Sequence, residues 1–171
     1  MLEESKAPYP IPKVTQKNLE YAQILLQDYA GEVSEQTAIH LYSYQSFLPE
    51  EIWKTYAHAI EKIAETEMKH LSLLGKTISL LGMDPIYATI SCENNGLQYW
   101  NSNYVDYTTD PKKMLEVDIQ AEKTAILNYQ KHMEIIHDPY IEQMLERIIE
   151  DEEIHLKKFQ SMLEQIKKLT K

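Results

Sequence analysis

Apolar residues recur along much of this chain at alternating steps of three and four, the spacing that lines one face of an α-helix. From about Pro49 to Gly82 the stripe is Ile60, Ile63, Glu67, His70, Leu74, Ile78 and Leu81. From Pro139 to about Leu169 it is Ile141, Leu145, Ile148, Glu152, His155, Phe159, Met162 and Ile166. Both seams are apolar except at mid-length, where a glutamate and a histidine three residues apart interrupt them. A third stripe, Leu115, Ile119, Glu122, Ile126, Tyr129, Met133 and Ile136, and a fourth, Glu35, Ile39 and Tyr42, carry one glutamate each. The pattern predicts an all-α fold of four helices, each presenting a carboxylate to the core.

Chain punctuation sets the boundaries. After a proline-containing arm over about residues 1–14, the first helix is expected from about Thr15 to Phe47. The second opens at Pro49 with Glu50 and Glu51 in its first turn and stops near Gly82. Asp110 with Pro111, and Asp138 with Pro139, read as N-cap and first turn of the third and fourth helices. The stretch over about 83–110 holds Tyr87, Tyr99, Trp100, Tyr104 and Tyr107. It is too aromatic for a solvated linker and is expected to be an ordered crossover.

An octet occurs twice: "EQTAIHLY" from Glu35 and "EKTAILNY" from Glu122 agree at five of eight positions. Glu35 and Glu67 lie symmetrically about the first expected turn, and Glu122 and Glu152 about the last, as ligands on antiparallel helix pairs must. A crossover of about 27 residues reaches roughly 90 Å, ample for the ~45 Å length of a 30-residue helix. The repeated octet therefore marks a repeated helix pair: two hairpins joined by one long crossover, folded as a single domain.

Composition narrows the chemistry. The chain has 171 residues, 43% of them hydrophobic, with only 4 Gly and 7 Pro, which suits long helices around a real core. The one cysteine, Cys92, excludes a disulfide framework or a CxxC module. A net charge of −10 argues against nucleic-acid or anionic-membrane partners. No apolar run approaches the roughly 20 residues that span a bilayer, and the first residues lack a signal-like apolar segment, so a cytoplasmic location is expected.

Burying four carboxylates beside two imidazoles costs several kcal/mol per uncompensated charge, so a cation is expected among them. Glu-x-x-His puts both side chains on one helical face, and carboxylate with imidazole suits iron or manganese. Two such motifs plus two single glutamates match the ligand pattern of di-iron and di-manganese four-helix bundles.

"EMKH" at Glu67, "EDEEIH" at Glu150 and "SEQTAIHLY" at Ser34 resemble the helix motifs of the ferritin-like superfamily, within it the bacterioferritin and rubrerythrin group. The resemblance covers the helices but not the aromatic crossover. It implies Glu35 and Glu122 as terminal ligands, Glu67 and Glu152 as bridging carboxylates at the catalytic centre, and His70 and His155 as histidine ligands. Rubrerythrins carry a further glutamate where this chain has Ile119, so a symmetric six-ligand site is implied. The expected function is oxidation of Fe(II) coupled to reduction of hydrogen peroxide or dioxygen at two iron ions, with any electron donor a separate protein. A di-manganese catalase-like enzyme, an iron-storage subunit and a bundle without turnover are the alternatives. A homo-oligomer is expected, with a dimer favoured. Haem is not expected, although Met68 follows Glu67 as a haem-ligating methionine does in bacterioferritins. Tyr42 and Tyr129 are expected in the core with their hydroxyls on a partner. Asp28 and Glu32 are expected at a solvated helix end, and His40, His58, His132 and His137 on the surface or as caps.

Overall fold

The computed structural model describes residues 7–48, 51–91 and 96–169. Five helices form the bundle: α1 Leu19–Ala30, α2 Glu35–Ser46, α3 Glu51–Leu81, α4 Pro111–Met133 and α5 Pro139–Leu169. α2 packs along α3 and α4 along α5, giving two hairpins, while α1 lies against the second half of α3. Among the described residues no helix is long and apolar enough to cross a membrane.

The expected first helix is two helices. Its start is later than Thr15 because Asn18 caps α1, its side chain accepting from the Glu20 and Tyr21 N–H groups. The chain then leaves helical geometry at Gly31, whose ψ is −173°. A Cβ there would sit 2.5 Å from the Gln27 carbonyl oxygen, so only glycine fits. Ser34 restarts the helix, accepting from the Thr37 N–H while its hydroxyl donates to the Gly31 carbonyl. Both caps satisfy backbone groups that a break would otherwise leave bare.

The other ends follow local chemistry. Gly82, at φ 100°, closes α3 with its N–H on the Ser79 carbonyl and the Met83 N–H on that of Ile78, a Schellman arrangement. Asp110 caps α4 through the Lys113 N–H, and Asp138 caps α5 through the Tyr140 N–H. The expected start at Pro49 and Glu50 lies outside the described residues, as does Cys92.

In its described residues the crossover contains strand. β1 Ala88–Ile90 pairs antiparallel with β2 Leu97–Tyr99, Thr89 opposite Gln98. Tyr87 stacks on Tyr29 of α1 at 5.4 Å between ring centroids. Trp100 contacts two apolar clusters, one built around Leu25, Leu74 and Ile148, the other around Ile60, Leu115 and Phe159. Between those clusters lies the layer of polar seam residues.

On α4 the buried face differs from expectation. Ile119 and Ile126 are only partly buried, whereas Asp118 is fully buried. The stripe that faces inward is Leu115, Asp118, Glu122, Ala125 and Tyr129, which also alternates three and four.

Candidate metal centre

The polar layer is assembled from the start of α2 and the middle of α3, α4 and α5. Glu35 is the first residue of α2, placed by the Ser34 cap where the helix N-terminus favours negative charge. Glu67 and His70 come from α3, Glu122 from α4, and Glu152 and His155 from α5. All six expected residues are brought together, and each is at most 3% exposed.

They form two overlapping groups: Glu35, Glu67, His70 and Glu152, and Glu67, Glu122, Glu152 and His155, with donor atoms in each within 4.8 Å of one another. Glu67 turns Oε2 to His70 Nδ1 and Oε1 to His155 Nδ1, both at 2.9 Å. Glu152 does the same with Oε1 at 3.3 Å from His70 Nδ1 and Oε2 at 2.9 Å from His155 Nδ1. Glu35 and Glu122 each reach one histidine, at 3.5 and 4.0 Å. Two carboxylates are therefore shared and two belong to one half each.

The octets interlock across the bundle. Tyr42 donates to Glu122 Oε1 at 2.5 Å, and Tyr129 donates to Glu35 Oε1. In each octet Glu and Tyr are seven residues apart, about 10.5 Å along a helix. Reciprocal pairing is met only when the two helices run antiparallel. The hydroxyls have the partner expected of them, and it is the other octet's glutamate.

A second polar layer extends the same symmetry. Asp28 accepts from or pairs with His132 Nδ1 at 2.7 Å, and Asp118 accepts from Gln45 Nε2 at 2.7 Å. His132 and Gln45 each lie ten residues after their octet glutamate. Asp118 precedes Glu122 by four residues and Asp28 precedes Glu35 by seven, the difference being the three residues Gly31–Val33 of the helix break. Asp28 is thus buried, not at a solvated end, and His132 is largely buried, not a surface residue. Glu32, His40, His58 and His137 are exposed, and Met68 is half-exposed. Asp118 was not expected at the site; its signal was the alternative three-four stripe on α4.

The electrostatics follow from burial. Desolvation and the neighbouring Glu152 and Glu67 charges push Glu35 and Glu122 well above the usual carboxylate range. Desolvation also raises Asp118 and Asp28, the latter against His132. For Glu67, desolvation is outweighed by His155 and His70, which hold it below 4.5. Burial works against charging His70 and His155, yet the surrounding carboxylates raise both well above 6.5.

A cavity of about 270 Å³ runs between α2 and α4 down to Glu35, Glu67, Glu122 and Glu152. Its walls include Val33, Ala38, Leu41, Val117, Ala121 and Ala125, with Asp28, Glu32 and Asp106 among its polar lining.

Whether a metal pair suits these residues is decided by proton counting. Each Nδ1 faces three carboxylate oxygens, and one N–H can serve one of them. Glu67 Oε1 is left without a well-directed hydrogen bond despite its 2.9 Å approach to His155. The remaining oxygens crowd together in a buried layer, where bound protons or a cation must relieve their repulsion. The donors, oxygen and imidazole nitrogen, fit iron or manganese.

A helical bundle with twin carboxylate–imidazole clusters in its core defines the class of di-metal carboxylate proteins. The chain belongs to the ferritin-like family: the model of the ferritin-like domain matches residues 33–169. Its fold is similar to that of KatB, a manganese catalase from Anabaena PCC7120, with TM-score 0.84 and 24% identity over 100% of this chain and 83% of that one. It is also similar to Desulfovibrio desulfuricans bacterioferritin, described with a diiron site, at TM-score 0.73 and 23% identity over 88% and 81%. The Mycobacterium tuberculosis bacterioferritin BfrA aligns at TM-score 0.70 and 21% identity over 91% of both chains. A search of curated protein sequences matched none.

Proposed function

We propose that this chain, acting as one ferritin-like domain, is a di-metal oxidoreductase that consumes hydrogen peroxide. Glu35, Glu67, His70 and Glu152 hold one ion, and Glu67, Glu122, Glu152 and His155 hold the other. The observation that carries this reading is the sharing of Glu67 and Glu152, each with one oxygen toward each histidine. Bound there, a metal pair would supply two one-electron steps, enough to reduce one peroxide to two waters, or one dioxygen to peroxide, as two ferrous ions become ferric.

The protein's own residues do the rest. Tyr42 and Tyr129 each hold a proton against the carboxylate oxygen of a terminal glutamate, fixing its orientation and limiting its negative charge. The cavity, walled in part by small apolar side chains, gives a molecule of peroxide size a path to the four glutamates. Glu67 and Glu152, shared between the two groups, would hold both ions and offset the higher charge of the oxidised pair.

A second reading is a manganese pair that disproportionates two peroxides to water and dioxygen with no external reductant. It is favoured by the likeness to KatB, which extends over 100% of this chain against 88% for the Desulfovibrio desulfuricans bacterioferritin. Storage of iron in a cage has no comparable support. The deciding experiment is metal analysis of protein purified without added metal, followed by oxygen-electrode measurement after peroxide addition. Iron, with peroxide consumed in proportion to ferrous ion and no oxygen released, supports the first reading. Manganese with sustained oxygen release supports the second. Retention of neither ion, even after reconstitution, overturns both.

A further inference from the structure

The two halves of the centre differ in what stands behind their histidines. His70 Nε2 lies 3.1 Å from Asp151 Oδ2. The same oxygen accepts from the Tyr9 hydroxyl at 2.5 Å and pairs with Arg147 Nη1 at 2.7 Å. Arg147 Nε donates to the Ala7 carbonyl at 3.0 Å, and its guanidinium lies 4.3 Å from the centre of the Tyr9 ring. Tyr9 in turn meets the His70 ring edge-on, at 6.0 Å and 73°. The N-terminal arm thus crosses α5 and closes the back of His70. It is tied down further along, where the Thr15 N–H donates to Asp138 and Lys13 donates to Tyr140.

Among the described residues nothing equivalent stands behind His155, whose hydrogen bond and ion pairs all run from Nδ1. Asp151 immediately precedes Glu152, whereas Thr66 precedes Glu67, and the Thr66 hydroxyl donates to the Lys62 carbonyl. The near two-fold symmetry of the ligands is therefore broken in the layer behind them.

A carboxylate that accepts from the outer N–H of an imidazole fixes the tautomer, leaves the inner nitrogen's lone pair facing the site, and makes that nitrogen more basic. We propose that Tyr9 is a positioning residue of the metal centre, acting through Asp151 on His70, and that it makes the Glu35–His70 position the tighter of the two. Tyr9 and Arg147 take up part of Asp151's charge, so their contribution is placement: they hold Oδ2 where the His70 N–H needs it. This inference rests on the two-metal reading above.

The test is a titration of chelated full-length protein with Mn(II), bound ions being counted by equilibrium dialysis and stepwise affinities read by calorimetry. Wild type takes two ions with affinities separated by about tenfold or more. Tyr9→Phe weakens the tight step by roughly tenfold and leaves the weak step within about twofold; Asp151→Asn weakens the tight step by about 10- to 100-fold. Tyr140→Phe, which removes the arm's Lys13 hydrogen bond and leaves the Tyr9–Asp151 contact in place, changes neither. Glu35→Gln removes the tight step and Glu122→Gln the weak one. Equal steps in wild type, or a Tyr9→Phe effect that is absent or equal on both steps, overturn the inference while two bound ions leave the two-metal reading intact. Wild type that takes up no ions overturns both.

Discussion

Glu67 separates the two kinds of carboxylate at this site, because its oxygens serve different histidines while Glu35 turns Oε2 to His70 and Oε1 to the Tyr129 hydroxyl. Glu67→Gln should therefore lower occupancy of both positions, whereas Glu35→Gln should leave about one ion per chain, as counted by elemental analysis after gel filtration. A Glu67→Gln protein that still holds two ions with unchanged affinity would end the bridging assignment. The six polar residues that cluster in the core were legible because each interrupts an apolar seam. Asp28 and Asp118 were not. Asp28 reads as the polar end of a stripe, and Asp118 is adjacent to Ile119, which fits a helical stripe equally well; only the rotation of α4 against its neighbours chooses between them.

At the scale of elements the break between α1 and α2 governs the placement of Glu35. Ser34→Ala removes the cap that starts α2 and should destabilise the protein by about 1 kcal/mol. Gly31→Ala forces a Cβ against the Gln27 carbonyl and should cost about 1–3 kcal/mol, as overpacked sites do. Urea midpoints of the metal-free proteins measure both; a Gly31→Ala midpoint equal to wild type would mean the break adjusts freely. The break was hidden from periodicity because Asp28 and Glu35 are seven residues apart, two helical turns, so the stripe runs on through residues that are not helical. By contrast the Asp-Pro starts of α4 and α5 and the Gly82 stop were legible, since each is a local interaction that needs no distant partner.

For the whole molecule, the centre sets stability against function. Replacing Glu35, Glu67, His70, Glu122, Glu152 and His155 together by Leu or Met should give a helical protein that binds no metal and melts above metal-free wild type, since apolar replacement of buried ionic groups is often stabilising by about 1–4 kcal/mol. Metal should raise the melting temperature of wild type only. The pH dependence of the metal-free protein has a definite sign. Glu35, Glu122, Asp118 and Asp28 are raised, chiefly by burial, and His70 and His155 are raised by their carboxylate neighbours against burial. In each case the folded state binds protons that the unfolded state has released, so stability falls as pH rises above the ordinary carboxylate range. Glu67 and Asp151 act oppositely: despite burial, their histidine and hydrogen-bond partners lower them, Asp151 to about 2, so their contribution is lost as pH falls below that range. Melting temperatures of chelated protein should therefore decline from pH 5 to pH 8, while metal-loaded protein gains over that interval because ligation displaces those protons. A flat profile for the chelated protein would place these groups in contact with solvent.

The helical class, the duplicated hairpin and the six polar residues that interrupt the seams were determined by the sequence alone, because periodicity, caps and a charge in an apolar seam are properties of single segments. Only the tertiary structure decided which octet tyrosine meets which glutamate, that Asp28 faces His132 and Asp118 faces Gln45, and that Tyr9 of the arm stands behind His70 through Asp151. Those contacts join residues 73 to 142 positions apart. Their partners are chosen by the angle and register at which helices pack, a choice made by the sum of all side-chain contacts and written in no one stretch of the chain.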